Sequence, residues 1–140
     1  IRPGDTYEDE DFHIATLPSR HAIVGMCGRL TDRSTGVVIG FTGDTGPRPA
    51  LAEVFSDADL LIHEASIPPG TPDSELRGDH SRATDAAKVA REAGVKRLRL
   101  IHLREAHRVE SLAAARAIFP ETELATEGQR ITLPRRPDRR

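Results

Sequence analysis

The stretch FTGDTG at positions 41–46 follows the β-branched run GVVIG at 36–40 and precedes PRP at 47–49. The run predicts a buried strand, and the glycines on either side of Asp44 predict an uncrowded turn at its end. The sequence therefore predicts that the carboxylate of Asp44 lies just after the C-terminal end of a strand. Taken alone, an aspartate in such a turn more often bonds its own backbone, so a functional interpretation needs support from elsewhere in the chain.

Two further predicted strands end in the same manner, on side chains that can bind metal. LLI at 60–62 runs into His63 and Glu64, and LRLI at 98–101 runs into His102. A lone histidine is usually satisfied by a backbone carbonyl, but here three strand ends carry matching chemistry. Because strand ends of an α/β sheet open onto one crevice, a single metal site is the economical explanation for all three.

The composition describes an ordinary protein of 140 residues, which is one domain or a part of one. It contains no apolar run long enough to span a membrane, and a net charge of −2 gives no overall attraction to nucleic acid. The single cysteine, Cys27, has no basic neighbour and is predicted to be buried, which favours a cytoplasmic location. The chain begins at Ile1, which suggests a fragment, a processed chain or one half of a split protein.

Periodicity predicts strands first and then alternating helices and strands, which is typical of an α/β fold with helices on one face of a mixed sheet. The predicted strands are 5–7, 12–17, 22–30, 36–40, 59–62, 96–101, 123–126 and 130–133. The predicted helices are 49–56, 82–93 and 109–119, with Ser81 as the N-cap of the second. Residues 66–79 are predicted to form a loop over the site. We expect one domain over 1–134 and a disordered, arginine-rich tail at 135–140.

Four motifs occur in order along the chain: FTGDT at 41–45, DADLLIHEAS at 57–66, HS at 80–81 and GVKRLRLIH at 94–102. With these motifs, residues 4–133 resemble the C-terminal part of the metallo-β-lactamase-like hydrolases, and most closely the ribonuclease Z and cyclic-nucleotide phosphodiesterase branch. The resemblance implies the C-terminal half of an αβ/βα sandwich. It also implies a metal-dependent hydrolase of phosphodiester bonds with two Zn²⁺ ions in a complete site, or Mn²⁺ in their place.

The resemblance assigns metal ligands residue by residue. His21 matches the histidine that completes the ligands of the first metal, Asp44 matches the aspartate that bridges both metals, and His102 matches the last ligand of the second. Imidazole and carboxylate ligands suit zinc, and a site richer in oxygen would also accept manganese. Two such ions activate a water and clamp the phosphoryl oxygens during in-line attack.

The resemblance also assigns catalytic and supporting residues. Glu64 and His80 match a pair beside the scissile phosphate, with His80 as the proton donor to the leaving oxygen. The carboxylate of Glu64 is expected to tune the imidazole of His80 for that role. Thr45 and His63 are expected to orient these groups and not to bind metal.

One part of the family pattern is absent from this sequence. The family takes its first ligands from a His-x-His-x-Asp-His motif, and this chain contains no such motif. His21, Asp44 and His102 therefore supply only part of a two-metal site, and the chain alone is expected to be inactive. We expect the missing N-terminal half to lie in the same gene or in a second chain, and a homodimer is a further alternative.

The sequence leaves several substrates open. The long tRNA-gripping arm of the common bacterial ribonuclease Z is absent between His21 and Asp44, where the chain predicts only two strands and a short turn. A tRNA precursor cleaved at its 3′ end, a cyclic nucleotide and an arylsulfate ester are therefore alternative substrates. An alternative from a different class is a non-catalytic half-domain with an assembly or binding role.

Overall fold

Residues 1–137, which the computed structural model describes, form a seven-stranded sheet whose spatial order follows the chain. The strands are β1 (Thr6–Glu8), β2 (Phe12–Pro18), β3 (Met26–Asp32), β4 (Val38–Phe41), β5 (Leu60–Glu64), β6 (Leu98–Ile101) and β7 (Thr122–Leu124). The helices are α1 (Ala50–Val54), α2 (Ala83–Ala93) and α3 (Arg108–Arg116), with 3₁₀ turns at Asp73–Glu75 and Glu105–His107. Strands β1 to β4 pair antiparallel and β4 to β7 pair parallel, so the predicted mixed sheet is confirmed.

Connection length explains this change of strand direction. The antiparallel strands are joined by short connections, such as the β3–β4 turn, where the carboxylate of Asp32 accepts hydrogen bonds from the N–H groups of Ser34 (2.8 Å) and Thr35 (3.0 Å). The parallel strands need longer crossovers, which α1, α2 and α3 provide. Helix α2 packs against both α1 and α3, so the helices form one layer on one face of the sheet, as predicted.

Small side chains let α2 approach the sheet closely. The core between the helices and the sheet combines the alanines of α2 with larger side chains, among them Leu51, Phe55, Leu61, Leu98 and Leu100. Gly94 ends α2 in the left-handed conformation, with a φ of 67°. The prediction of Ser81 as the N-cap is wrong, because Arg82 takes that position and its N–H donates to the carboxylate of Asp85 (3.0 Å). The hydroxyl of Ser81 instead donates to the carbonyl of Thr45 (2.7 Å).

Two other predicted segments differ from the structure. Strand β3 begins at Met26, so His21 lies in the loop 19–25 and does not open the strand. The segment 130–133 alternates in polarity as a strand does, but no described strand pairs with it. Its carbonyl at Thr132 instead accepts a hydrogen bond from the Arg97 side chain (3.4 Å). No helix within residues 1–137 is long and apolar enough to cross a lipid bilayer.

Cys27 lies in the core, as predicted. Its side chain is fully buried, and burial raises the pKa of its thiol to about 11. The thiol is therefore protonated at neutral pH, and its role in the described fold is packing.

The C-terminal segment contacts the rest of the fold through Arg136, which lies in the stretch 135–140 that was predicted to be a disordered tail. The N–H of Arg136 donates to the carbonyl of Thr35 (2.9 Å). Its guanidinium donates to the carbonyl of Asp57, and its Nε lies 2.6 Å from Oδ2 of Asp59. Asp59 is nearly fully buried, and a buried carboxylate needs such a partner. The prediction for 138–140 lies outside the described residues.

Asp59 is therefore expected to stabilise the fold in a pH-dependent manner. Burial raises the pKa of this carboxyl group, but hydrogen bonds from Arg136, Lys96 (2.7 Å) and the N–H of Val38 (2.8 Å) outweigh it and hold the pKa below its ordinary value of 3.8. Asp59→Asn is expected to lower the free energy of unfolding by about 2 kcal/mol at neutral pH. Because the folded-state pKa is depressed, this contribution is complete above the unfolded-state pKa and disappears as the pH falls through the folded-state pKa.

Urea unfolding of the wild type and Asp59→Asn across a pH series checks this expectation. The difference in unfolding free energy should stay constant above about pH 5 and shrink as the pH falls below about 4. Glu92→Gln, which removes an exposed carboxylate from α2, is the matched control and should change little. A difference that is independent of pH would contradict the role of Asp59.

The face of the sheet opposite the helices is only partly covered. Side chains alternate along a strand, and Val38 lies in the core beneath the helices, so Ile39 and Phe41 point to the opposite face. Phe41 is 47% exposed, and Tyr7 on β1 is 49% exposed. The strand register places a series of apolar or aromatic side chains on this open sheet face, among them Tyr7, Ile14, Leu30, Ile39, Phe41 and Ile62.

Candidate metal centre

Three of the predicted site residues lie at the C-terminal ends of parallel strands. Asp44 follows β4 on the FTGDTG turn, Glu64 is the last residue of β5, and His102 follows β6. Parallel strands end at the same edge of a sheet, so these side chains converge. His102 adopts a left-handed φ of 56°, which is uncommon for a residue with a side chain. In this conformation its Nδ1 lies 2.8 Å from Oδ1 of Asp44.

The loop 19–25 brings His21 to the same edge. Its attachment depends on the residue before the histidine. The N–H of Arg20 donates to Oγ1 of Thr45 (2.9 Å), and the carbonyl of Arg20 accepts from the N–H of Gly46 (2.8 Å). The loop is therefore held directly against the FTGDTG turn, so that His21 and Asp44 lie on adjoining segments.

The loop 66–79 brings His80 to the site, and hydrogen bonds at both ends of the loop hold it to the rest of the fold. The N–H of Ile67 donates to the carbonyl of Ser81 (3.1 Å), which closes the loop at its base. The hydroxyl of Ser81 donates to the carbonyl of Thr45 (2.7 Å), which fixes that base to the FTGDTG turn. His80 is thus positioned by its neighbours, although the loop before it is irregular.

The histidines of the site form a row with His80 in the middle. The ring centroid of His80 lies 4.9 Å from that of His21 and 5.6 Å from that of His102. One ligand atom each from His21, Asp44 and His80 lie within 4.8 Å of one another, and the same holds for Glu64, His80 and His102. The structure therefore brings together the three residues predicted as metal ligands, and it adds His80 to them.

The donor set fits a divalent cation. A zinc ion binds nitrogen and oxygen ligands at about 2.0–2.2 Å, so two ligand atoms of one ion are at most about 4.4 Å apart. The ligand atoms of each cluster lie within 4.8 Å of one another, which is close to that separation. Imidazole nitrogen with carboxylate oxygen is a zinc ligand combination. The side chains of Asp44 and His102 are 42% and 51% exposed, so the site is open to an ion and a substrate. His80 was predicted as a proton donor and not as a ligand, and the structure places it within reach of both clusters.

Glu64 supports the cluster from the interior. Its carboxylate is fully buried and accepts hydrogen bonds from the N–H of Thr45 (3.1 Å), the N–H of Ser66 (2.9 Å) and Nδ1 of His80 (2.8 Å). An ionised carboxylate can only accept, so Nδ1 of His80 carries a proton and Nε2 is the free ring nitrogen. The buried carboxylate thereby fixes both the orientation and the tautomer of His80.

Thr45 and His63 support Glu64 in different ways. Thr45 is buried and contacts the Glu64 carboxylate itself, while its hydroxyl and carbonyl hold Arg20 and Ser81. His63 is fully buried, and its Nδ1 donates to the backbone carbonyl of Glu64 (2.8 Å). Burial lowers the pKa of His63 and outweighs the hydrogen bond and the charge of Glu64, so the ring is neutral at pH 7. Among residues 1–137, its Nε2 has no hydrogen-bond partner.

A close backbone contact joins the FTGDTG turn to the loop 66–79. A Cβ atom built on Gly46 would lie 1.9 Å from the carbonyl oxygen of Gly78, so no side chain fits at position 46. The glycine was expected only to keep the turn uncrowded. Its contact with Gly78 carries no local sequence signal, because it joins positions that are far apart in the chain.

Sequence relatives of the chain are ribonucleases, although no family model matches it. Ribonuclease Z of Geobacillus kaustophilus is 33% identical over 96% of this chain and 45% of its own length. Ribonuclease Z of Myxococcus xanthus is 34% identical over 97% of this chain and 40% of its own length. Ribonuclease Z of Methanothermobacter thermautotrophicus is 42% identical over 66% of this chain and 31% of its own length. The chain thus spans less than half the length of these relatives.

Solved structures share the fold. The metallo-β-lactamase fold protein YhfI from Bacillus subtilis matches 92% of this chain and 53% of its own chain, with a TM-score of 0.81 and 24% identity. Human tRNase Z, short form, matches 91% of this chain and 46% of its own chain, with a TM-score of 0.72 and 25% identity. The chain therefore has the metallo-β-lactamase fold, and its sequence places it in the ribonuclease Z branch of that fold.

Proposed function

We propose that this chain forms part of the active centre of a metal-dependent endonuclease that hydrolyses phosphodiester bonds at the 3′ ends of tRNA precursors. The observation that carries the proposal is the cluster of His21, Asp44, His80 and His102 at one edge of the sheet, with Glu64 bonded to His80. The ribonuclease names of the sequence relatives favour RNA over a cyclic nucleotide or an arylsulfate ester, and the name of the structural neighbour human tRNase Z favours tRNA. Because the chain spans less than half of those relatives, we assign the activity to a complete protein.

Two divalent cations, zinc or manganese, are the cofactors in this proposal. His21, Asp44 and His102 would hold them, as the convergence of their side chains supports. When bound, such cations polarise a phosphoryl oxygen and lower the pKa of a water toward neutrality. The chain's own part is to hold these side chains on segments that are bonded to one another.

His80 has the role of proton donor to the leaving oxygen. Its Nδ1 is bonded to Glu64, so Nε2 is the ring nitrogen available to a substrate. The buried Glu64 carboxylate, which accepts from Nδ1, holds the ring in place for proton transfer through Nε2. Thr45 and Ser66 fix the carboxylate through their N–H groups.

We further propose that the remainder of the same protein covers the open sheet face and completes the ligand set. The face carries apolar side chains that are partly exposed, and parallel strands such as β4 to β7 normally have both faces covered. The relatives are more than twice as long as the part that this chain matches, so a further segment of one polypeptide is the occupant we expect. A homodimer and a separate second chain are the other outcomes of the test below.

The proposal is tested by expressing the chain together with its complementary region. Metal content per protein and cleavage of precursor tRNA, a cyclic nucleotide and bis(p-nitrophenyl) phosphate are then measured. Bound zinc or manganese with tRNA cleaved at its 3′ end is the expected result. Hydrolysis of the cyclic nucleotide alone would overturn the substrate, and a folded assembly with neither metal nor activity would favour a non-catalytic half-domain. Dimerisation of the chain alone, by analytical ultracentrifugation, would assign the open sheet face to a second copy.

His80→Asn in the complete protein distinguishes proton donation from metal binding. The asparagine amide keeps a donor for Glu64 but has no group that can protonate the leaving oxygen. We expect kcat to fall by about 10²–10⁴-fold while the metal content is unchanged. His107→Asn, which alters a partly exposed histidine outside the cluster, is the control. Loss of metal from His80→Asn would show instead that His80 is a ligand.

A further inference from the structure

A polar cavity lies at the opposite end of strand β5 from the metal centre. It has a volume of about 510 Å³ and is bounded by the β3–β4 turn, the end of α1 and the C-terminal segment. Asp57, in its wall, precedes β5, whereas Glu64 in the metal centre ends β5. The length of β5 therefore separates the two places, and no residue of the metal centre lines this cavity.

Arginine dominates the lining of this cavity. Arg29, Arg33, Arg135 and Arg136 contribute four cationic side chains, whereas Asp57 is the one acidic residue among the described lining residues. The lining also carries hydroxyl groups, from Thr31, Thr35 and Ser56, while the hydroxyl of Ser34 is taken by Asp32 (2.7 Å). Guanidinium groups beside hydroxyl donors match the chemistry of an oxyanion.

Arg29 is held in place before any ligand arrives. Its Nη1 donates to the carbonyls of Ser56 (2.7 Å) and Val54 (3.2 Å) at the end of α1. Burial lowers the pKa of Arg29, and the nearby charge of Arg136 lowers it further, whereas Asp57 and Asp59 raise it. Arg29 and Arg136 therefore lie close enough at the wall of one cavity to repel each other. An anion between them would relieve that repulsion.

Ion pairs only partly balance these charges. Arg136 pairs with Asp59 (2.6 Å), but Asp59 is shared with Lys96 (2.7 Å). Arg33 lies 3.4 Å from Glu8 with both side chains exposed, and such a pair contributes little. Cations therefore outnumber anions among the described lining residues, with four arginines and one aspartate.

We propose that this cavity binds a phosphate group, carried either by an RNA backbone or by a small phosphorylated molecule. The planar fork of arginine donates two parallel hydrogen bonds to a phosphate, which a halide cannot accept in the same way. The site is independent of the metal centre and of the function proposed for it.

Isothermal titration of the full chain with inorganic pyrophosphate, in EDTA and at constant ionic strength, tests the proposal. Arg33→Gln/Arg135→Gln removes two exposed cavity cations while leaving the anchored Arg29 and Arg136 intact. We expect the wild type to bind with a Kd of about 1 mM or tighter, and the double variant to bind about tenfold more weakly. Arg91→Gln/Arg130→Gln removes the same charge outside the cavity and should bind as the wild type does.

The source of the phosphate is read from a competing RNA oligonucleotide in the same titration. If the RNA displaces pyrophosphate and loses affinity in the cavity variant, the phosphate belongs to an RNA backbone. If pyrophosphate alone depends on the cavity arginines, the ligand is a small phosphorylated molecule. Absence of pyrophosphate binding to the folded wild type would overturn the proposal. An equal loss of affinity in both double variants would also overturn it, because the attraction would then be general charge.

Discussion

Replacing Asp44 with asparagine is expected to remove metal binding and activity from the complete protein while leaving its fold intact. The change preserves the size of the side chain and a hydrogen-bonding group for His102, but it removes the negative charge from the centre of the cluster. Loss of residues that merely support a metal ligand already weakens affinity 10–100-fold, so we expect zinc affinity to fall by about 100-fold or more. Metal content after dialysis and kcat/KM on precursor tRNA are the measurements.

Because Asp44 is exposed, its replacement should affect metal binding without affecting stability. Its side chain is 42% exposed and is bonded to the half-exposed His102, so the unfolding midpoint should change little. Asp11→Asn alters an exposed acidic residue in the β1–β2 turn and serves as the control. An Asp44→Asn protein that retained its metal and its activity would rule out Asp44 as a ligand, whatever the likeness of its turn to those of relatives.

Gly46→Ala is expected to have the largest effect on stability. The new methyl carbon would lie 1.9 Å from the Gly78 carbonyl oxygen, and both partners are backbone, so neither can rotate away. The turn and the loop must separate, which costs about 3 kcal/mol or more. Because Thr45 is the next residue, the same displacement should weaken its hold on Glu64 and Ser81. Thermal and urea unfolding measure the loss.

Gly70→Ala is a matched control for this prediction. It makes the same substitution in the loop 66–79, but a Cβ there meets nothing within 4 Å. Its unfolding free energy should stay within about 0.5 kcal/mol of the wild-type value. Equal unfolding midpoints for the Gly46 and Gly70 variants would contradict the proposed close contact.

The strand ends of the site were predictable from local patterns. The apolar runs before Asp44, Glu64 and His102 are short, and each is followed at once by a polar side chain. Once the later strands are parallel, their carboxyl ends must share an edge, so the convergence follows from topology. The resemblance supplied the partnership of Glu64 with His80, which no periodicity indicates.

The remaining features depend on contacts between distant segments. Ser81 is a residue type that commonly caps helices, but its hydroxyl donates to the carbonyl of Thr45 instead of accepting from the helix backbone. The tail arginine Arg136 looks solvated in sequence, yet the buried Asp59 holds it against the sheet. Residues 130–133 alternate like a strand but find no described neighbour to pair with. For Ser81 and Arg136 a tertiary partner overrode the local preference, whereas residues 130–133 lack the neighbouring strand that their pattern needs.

The closed base of the loop 66–79 separates the geometry of the catalytic side chains from the length of the loop. Ile67 and Ser81 are bonded at the base, Ser66 is bonded to Glu64, and Gly78 packs against Gly46, so only the outer part of the loop, around Gly70, can change without moving His80. Lengthening a closed loop adds little entropy cost, about 0.6 kcal/mol for each doubling. The edge of the candidate site can therefore vary in length and sequence while the side chains at its centre stay in place.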